Sequence, residues 1–312
     1  MRVAHDVGRR GGCFVQKLLV LAFVGLLAQL VDGALGMAYG VTSTSLLLLF
    51  GLTPASASAS VHLAELVTTA ASGLSHWRFG NIDRHVVRTL VLPGAVGAFV
   101  GAYFLGSVPG EAIKPFVSAF LFALGVYILV RFLVARPAAR TARGPVRRRF
   151  LVPLGLFAGF ADAVGGGGWG PITTPALMMR RDLEPRRVVG SVDTSEFAIA
   201  LSATVGFALS MGFEPVHWLW VGALVLGGVI AAPIAAWLVK VLPSHVLGVL
   251  VGSVILLTNM RTLLLALGVP EDAKMWVYGA LWAVLIAAFV YTLRKHKSRS
   301  GKGALATESS TG

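Results

Sequence analysis

The chain has 312 residues, 56% of them hydrophobic and only 13% charged, where a soluble domain carries roughly a quarter charged residues. Apolar runs of about 20 residues recur from end to end, which excludes an ordinary soluble domain and indicates a polytopic helical membrane protein. The net charge of +13 does not point to nucleic acid, because the basic residues cluster in short loops between apolar runs, the positive-inside pattern.

In chain order, Arg9 and Arg10 precede an apolar run from Leu18. No small-x-small cleavage site follows cleanly, so this start reads as a retained first membrane segment rather than a signal peptide. The single cysteine, Cys13, rules out an internal disulfide and a cysteine-based metal site. The apolar segments fall at 18–50, 56–76, 89–108, 115–134, 150–179, 190–210, 217–240, 244–267 and 274–293. The segments 18–50 and 150–179 are peculiar. At ~1.5 Å per residue, about 30 residues are too long for one ~30 Å span and too short for two. Each is also interrupted by glycines, the second with four in a row (Gly165 to Gly168) followed by Pro171. Both residue types weaken helix. Each segment therefore reads as two half-helices meeting at a break.

The chain also aligns with itself. GLLAQLVDGALGMAYGVTST (25–44) matches GLFAGFADAVGGGGWGPITT (155–174), pairing Asp32 with Asp162, Gly36 with Gly166, Tyr39 with Trp169 and Gly40 with Gly170. Farther on, Glu65 pairs with Glu196, and 101–109 runs parallel to 235–243. The expected organisation is an N-terminal segment 1–17, a repeat 18–134, a basic linker 135–149, a second repeat 150–267, an extra membrane helix within 268–293 and a disordered basic tail 294–312. Two-fold repeats recur among secondary transporters.

Loop charge suggests an orientation. If each interrupted segment enters and leaves on one side, the loops holding Arg78, Arg84 and Arg88, the linker, the Arg180–Arg187 cluster and the tail share one side. That side is expected to be cytoplasmic, C-terminus included. The N-terminal basic residues are the exception to the scheme.

Five acids fall within apolar segments: Asp32, Glu65, Asp162, Asp193 and Glu196. Such acids face a cavity or a partner, because lipid offers them no water. His62 and Glu65 are three apart, as are Asp193 and Glu196, so each pair lies on one helix face. Asp32, His62, Glu65, Asp162, Asp193 and Glu196 are accordingly the candidate proton-coupling groups, against the alternative that they bond helix to helix. A half-helix starting after a break offers free N–H groups and its positive dipole end, and anions bind at such ends. Gly36, Tyr39, Gly40, Thr42, Ser72, Gly165, Gly166, Gly167, Gly168, Trp169 and Thr173 are therefore the candidate substrate-binding residues. The alternative is that the glycines serve close helix packing and that the hydroxyls bond back to their own helices. Nucleotide-binding, serine-hydrolase and zinc-protease motifs are missing. No enzyme, cofactor or resident metal is expected.

The stretch DGALGMAYGVTSTSLLLLFGLTPASASASVHLAELVTTAASGLSHWRFGNID (32–83) and its echo at 162–197 resemble the TauE/SafE sulfite-exporter family. The resemblance covers about 18–267. It implies a carrier in a bacterial inner membrane for small sulfur-containing anions such as sulfite and organosulfonates. Gly36-Met37-Ala38-Tyr39-Gly40 departs from the glycine run usual there, so the two half-sites differ. The expected protein is thus an all-α membrane bundle with two repeats, each with a broken or re-entrant first helix. Its expected activity is proton-coupled secondary transport, as an exporter, with a small anion and the bilayer as its partners. The sequence is equally compatible with a monomer and a homo-oligomer. Two alternatives stay open: a divalent metal transporter using His62, Glu65, His76 and Asp83, and a non-transporting membrane scaffold subunit.

Overall fold

The computed structural model describes residues 2–134, 146–178, 184–238 and 244–308. Most of the linker 135–149 and residues 180–183 of the second arginine cluster lie outside the described residues. The fold is all-helical, with eleven helices among the described residues: α1 (Arg2–Leu35), α2 (Tyr39–Leu49), α3 (Pro54–Arg78), α4 (Arg84–Ser107), α5 (Gly110–Val134), α6 (Arg148–Gly165), α7 (Trp169–Met178), α8 (Pro185–Met211), α9 (Trp218–Leu238), α10 (Ser244–Ala266) and α11 (Glu271–Glu308). Among the described residues, six stretches are long and apolar enough to cross a membrane: Val15–Leu35, Arg84–Ser107, Gly110–Val134, Pro185–Met211, Trp218–Leu238 and Glu271–Thr292.

Helix ends follow local chemistry. Thr53 accepts from the Ser56 amide at 3.3 Å at the start of α3, with Pro54 in the first turn, where its missing N–H costs nothing. Asp83 accepts from the His85 and Val86 amides at 2.9 and 3.1 Å at the start of α4, a normal N-cap arrangement. α11 continues to Glu308, through the stretch that composition had suggested to be a disordered tail. Lys, Arg and Ala are good helix formers, and they recur there.

Both interrupted segments end one helix and begin another. α1 stops at Leu35 and α2 starts at Tyr39; α6 stops at Gly165 and α7 starts at Trp169. The turns use left-handed backbone at Gly36 (φ +67), Ala38 (φ +102) and Gly166 (φ +64), and Gly167 takes φ +148, conformations that favour glycine. The first break is not central to its segment. Val15–Leu35 alone has 21 residues, about 31 Å at ~1.5 Å per residue, whereas α2 has 11.

α3 and α8 lie side by side at the centre. α4 packs on α6 and α8, α9 packs on α1 and α3, α5 pairs with α10, and α11 lies against α10. The crossings are close. A Cβ at Gly97 would meet the Leu156 carbonyl at 2.1 Å, and one at Gly227 the Ala22 carbonyl at 1.9 Å, the small-residue contact by which membrane helices approach. Large apolar side chains such as Phe23, Leu92, Phe116, Leu219 and Trp276 face outward, as lipid contact requires. The interior is the more polar part, with Gln29, Asp32, His62, Glu65, His76, Asp162, Asp193 and Glu196 all buried.

Candidate functional site

The two breaks touch. A Cβ at Gly40 would meet Gly167 Cα at 2.7 Å, and one at Gly170 would meet the Gly36 carbonyl oxygen at 2.6 Å. A broken helix leaves backbone groups without partners, and in a membrane these need other donors and acceptors. Here each break is served by the other half of the chain. The Thr44 hydroxyl donates to the Gly166 carbonyl, and the Thr174 hydroxyl donates to the Gly36 carbonyl. Nothing in the sequence singles out these two threonines for this part, although both stand in the self-matching stretch.

The amides at the start of α7 are also taken. Asp162 Oδ1 accepts from the Gly168 and Trp169 N–H groups at 2.7 and 2.9 Å, and the Asp162 carbonyl accepts from Gly167 at 3.0 Å. The positive end of α7 thus faces the protein's own carboxylate, where the sequence had suggested an external anion. Asp32 meets the Tyr39 backbone N–H at the start of α2 in the same way.

The six candidate proton-coupling groups gather into two buried triads. His62 and Glu65 of α3 meet Asp162 of α6; Asp193 and Glu196 of α8 meet Asp32 of α1. Within each triad one ligand-capable atom per residue lies within 4.8 Å of the others. Each takes an i, i+3 pair from one half of the chain and a single aspartate from the other. The alignment that pairs Glu65 with Glu196 sets His62 opposite Asp193. Along the self-alignment the two triads therefore differ in one residue, His62 against Asp193.

That difference decides their chemistry. His62 Nδ1 lies 2.8 Å from the Ser58 carbonyl oxygen, which can only accept, so Nδ1 carries a hydrogen. His62 Nε2 lies 3.1 Å from Asp162 Oδ2. A hydrogen bond there needs a further proton, on the ring or on the carboxyl. Glu65 Oε2 stands 4.0 Å from the same nitrogen. The second triad has no such nitrogen at bonding distance. His76 Nδ1 receives the Asn81 side-chain amide at 3.2 Å, and its Nε2 is 3.8 Å from Asp193 Oδ2. Among the described residues no Lys or Arg is buried, so no lysine or arginine offsets either cluster.

The candidate substrate residues divide. Tyr39 donates to the Leu224 carbonyl at 3.3 Å, the Trp169 indole to the Val192 carbonyl at 3.1 Å, and Thr173 to the Trp169 carbonyl. Gly165 lies against the Phe120 ring and Gly40 against Glu65 Oε1. The Thr42 hydroxyl and both polar atoms of Gln29 are buried without hydrogen-bond partners. The Ser72 hydroxyl lies beside Asp193 without closing a hydrogen bond of normal geometry. Gln29 has no polar counterpart in the second half, where Gly159 stands, and the self-alignment gave no reason to select it. Asp83, named for the metal alternative, caps α4 and joins neither triad.

The family model described as "Sulfite exporter TauE/SafE" matches residues 21–262. This chain belongs to the TauE/SafE sulfite-exporter family. It is 57% identical over 287 residues to the Bacillus subtilis (strain 168) "Probable membrane transporter protein YtnM", covering 92% of this chain and 96% of that protein. It is 27% identical over 234 residues to YdhB of the same organism, likewise described as a "Probable membrane transporter protein", over 74% of this chain and 92% of that one. No solved structure matches it. As a member of a transporter family it is a membrane transporter and not an enzyme.

Proposed function

We propose that the chain is a secondary transporter, working as an exporter, for small sulfur-containing oxyanions such as sulfite or organosulfonates, coupled to protons. The family carries the substrate class. The observation that supports proton coupling is the His62–Asp162 contact at 3.1 Å with Nδ1 already committed to Ser58. In this reading the pair holds one exchangeable proton in a buried site, with Glu65 Oε2 4.0 Å from His62 Nε2. An oxyanion approaching several ionised carboxylates would be repelled, so proton uptake at His62 and Glu65 makes anion entry favourable.

The donors left for the anion are the Thr42 and Ser72 hydroxyls and the Gln29 amide, buried and without normal partners. Gly36, Gly40 and Gly165 to Gly168 serve by letting the two breaks meet, with Tyr39, Trp169 and Thr173 fixing the start of each second helix. The basic loops face the cytoplasm of a bacterial cell, and the C-terminus with them. Growth of a deletion strain and its parent on raised sulfite or an organosulfonate tests the reading. Greater sensitivity in the deletion strain, reversed by the wild-type gene, is expected; equal growth across all these anions would contradict it.

A further inference from the structure

The two central helices match without a gap. The register that sets Glu65 of α3 against Glu196 of α8 also sets Ser72 against Ala203 and His76 against Phe207. The polar stripe of α3 thus runs on past Glu65, where α8 is apolar at the same positions. His76 and Phe207 each stand beside the other helix's triad. Phe207 is buried, with its ring centroid 6.0 Å from that of His62. His76 is also buried, with Nε2 3.8 Å from Asp193 Oδ2. One approach to the interior is therefore closed by a ring that carries no proton, and the other holds a ring that can.

The hydrogen bonds around His76 fix where its proton sits. Asn81 Nδ2 lies 3.2 Å from His76 Nδ1 and 3.5 Å from the Ala236 carbonyl oxygen. That carbonyl only accepts, so the amide nitrogen donates to both, and Nδ1 is an acceptor. The neutral ring therefore carries its hydrogen on Nε2, the reverse of His62. This Nε2 is buried without a hydrogen-bond partner, on the Asp193 side of the ring. Asp193 is in turn hydrogen-bonded to Asp32. Two carboxyl groups bond to one another only when one of them holds a proton. Asp193 is the charged neighbour of the ring, while α1 presents the Gly33 backbone to it. Toward the surface, His76 stands within a turn of the exposed Arg78 and Gly80.

We propose that His76, oriented by Asn81, passes protons between the Arg78–Asp83 end of the molecule and the Asp32–Asp193 pair. A proton taken up on Nδ1 gives the charged ring. The Nε2 hydrogen then moves to an Asp193 oxygen, which leaves the ring neutral with its hydrogen on Nδ1. The same steps reversed carry a proton outward. Asn81 serves both states, because its Oδ1, unpartnered here, accepts from a protonated Nδ1 once the amide turns over. A small rotation of the ring closes 3.8 Å to hydrogen-bond distance, as proton-transfer groups do in their working state. The second half offers no matching route, because Phe207 stands where His76 would. The use of these protons in transport rests on the function proposed above. The proton path itself does not.

The test follows the buried carboxyl groups of purified full-length protein in detergent by infrared spectroscopy after a rapid pH jump. The part of the carboxylic-acid C=O signal that Asp193→Asn removes marks the pair. In wild type this signal is expected to follow the jump. In His76→Gln, which stays polar but relays no proton, it is expected to follow at least about ten-fold more slowly. Asn81→Asp sets a carboxylate against Nδ1 and is expected to move the pH dependence of the rate upward. Size-exclusion chromatography identifies which variants are folded, and having two variants keeps the test intact if one of them is not. An unchanged rate in folded His76→Gln overturns the proposal. So does an unchanged pH dependence in folded Asn81→Asp, or a wild-type signal that ignores the jump. Wild type whose carboxyl signal follows the jump yet moves no anion in proteoliposomes refutes the transport reading and leaves the His76 path. Wild type and His76→Gln that move sulfite equally fast under one pH gradient refute the path alone.

Discussion

His62 and Asp162, a hundred positions apart in the chain, meet through Nε2 and Oδ2 at 3.1 Å. With Nδ1 held by the Ser58 carbonyl, the pair shares a proton that glutamine at position 62 could not carry. His62→Gln is expected to stay folded, to lose the pH dependence of flux, and to slow transport by about ten-fold or more. That magnitude follows from a charge-assisted hydrogen bond worth ~1.5–3 kcal/mol. Flux measured across a pH series checks it.

Thr44 and Thr174 hold the two breaks together by donating to Gly166 and Gly36. Thr44→Val keeps the shape and removes the hydroxyl, leaving a buried carbonyl unsatisfied at a cost of about 1–3 kcal/mol. A lower thermal unfolding midpoint in detergent is expected, with Thr44→Ser recovering most of the loss.

Two glycines with positive φ make a paired test of close approach. A Cβ at Gly167 (φ +148) would lie 2.1 Å from the Val41 nitrogen, whereas one at Gly51 (φ +100) would meet nothing within 4 Å. Gly51→Ala is expected to cost only the backbone strain, about 1–2 kcal/mol. Gly167→Ala is expected to give little folded protein, because backbone cannot move aside as a flexible side chain can. The folded fraction on size-exclusion chromatography reads both.

Trp169 serves structure by donating to the Val192 carbonyl at 3.1 Å while fully buried. Trp169→Phe removes that donor and keeps most of the ring. A stability loss of about 1 kcal/mol is expected, with the KM for the transported anion unchanged. A KM raised in proportion to a missing ligand would return Trp169 to the substrate site.

Much of this fold could be read in advance. Long apolar runs gave the helices, and the glycines near 36–40 and 165–168 stand where α1 gives way to α2 and α6 to α7, because glycine acts on the local chain. The acids stood out because Asp32, Glu65, Asp162, Asp193 and Glu196 are costly in an apolar run. Their partners were not readable. That α3 lends His62 and Glu65 to an aspartate of α6, while α8 lends Asp193 and Glu196 to one of α1, depends on how the halves pack, which spacing along one chain does not encode. The same limit hid the fate of the free amides. Local sequence predicts that a half-helix start is unsatisfied, yet only geometry reveals that Asp162 folds back onto Gly168 and Trp169. Gln29 escaped notice because its counterpart is a glycine.

The most direct test of the central claim is anion flux in proteoliposomes of purified protein under an imposed pH gradient, comparing wild type with Glu65→Gln. Gradient-driven movement of sulfite or an organosulfonate by wild type is expected, with loss of the gradient's effect in the variant. No flux above empty liposomes for sulfite, thiosulfate and sulfonates would contradict it, and so would flux in Glu65→Gln with unchanged pH dependence.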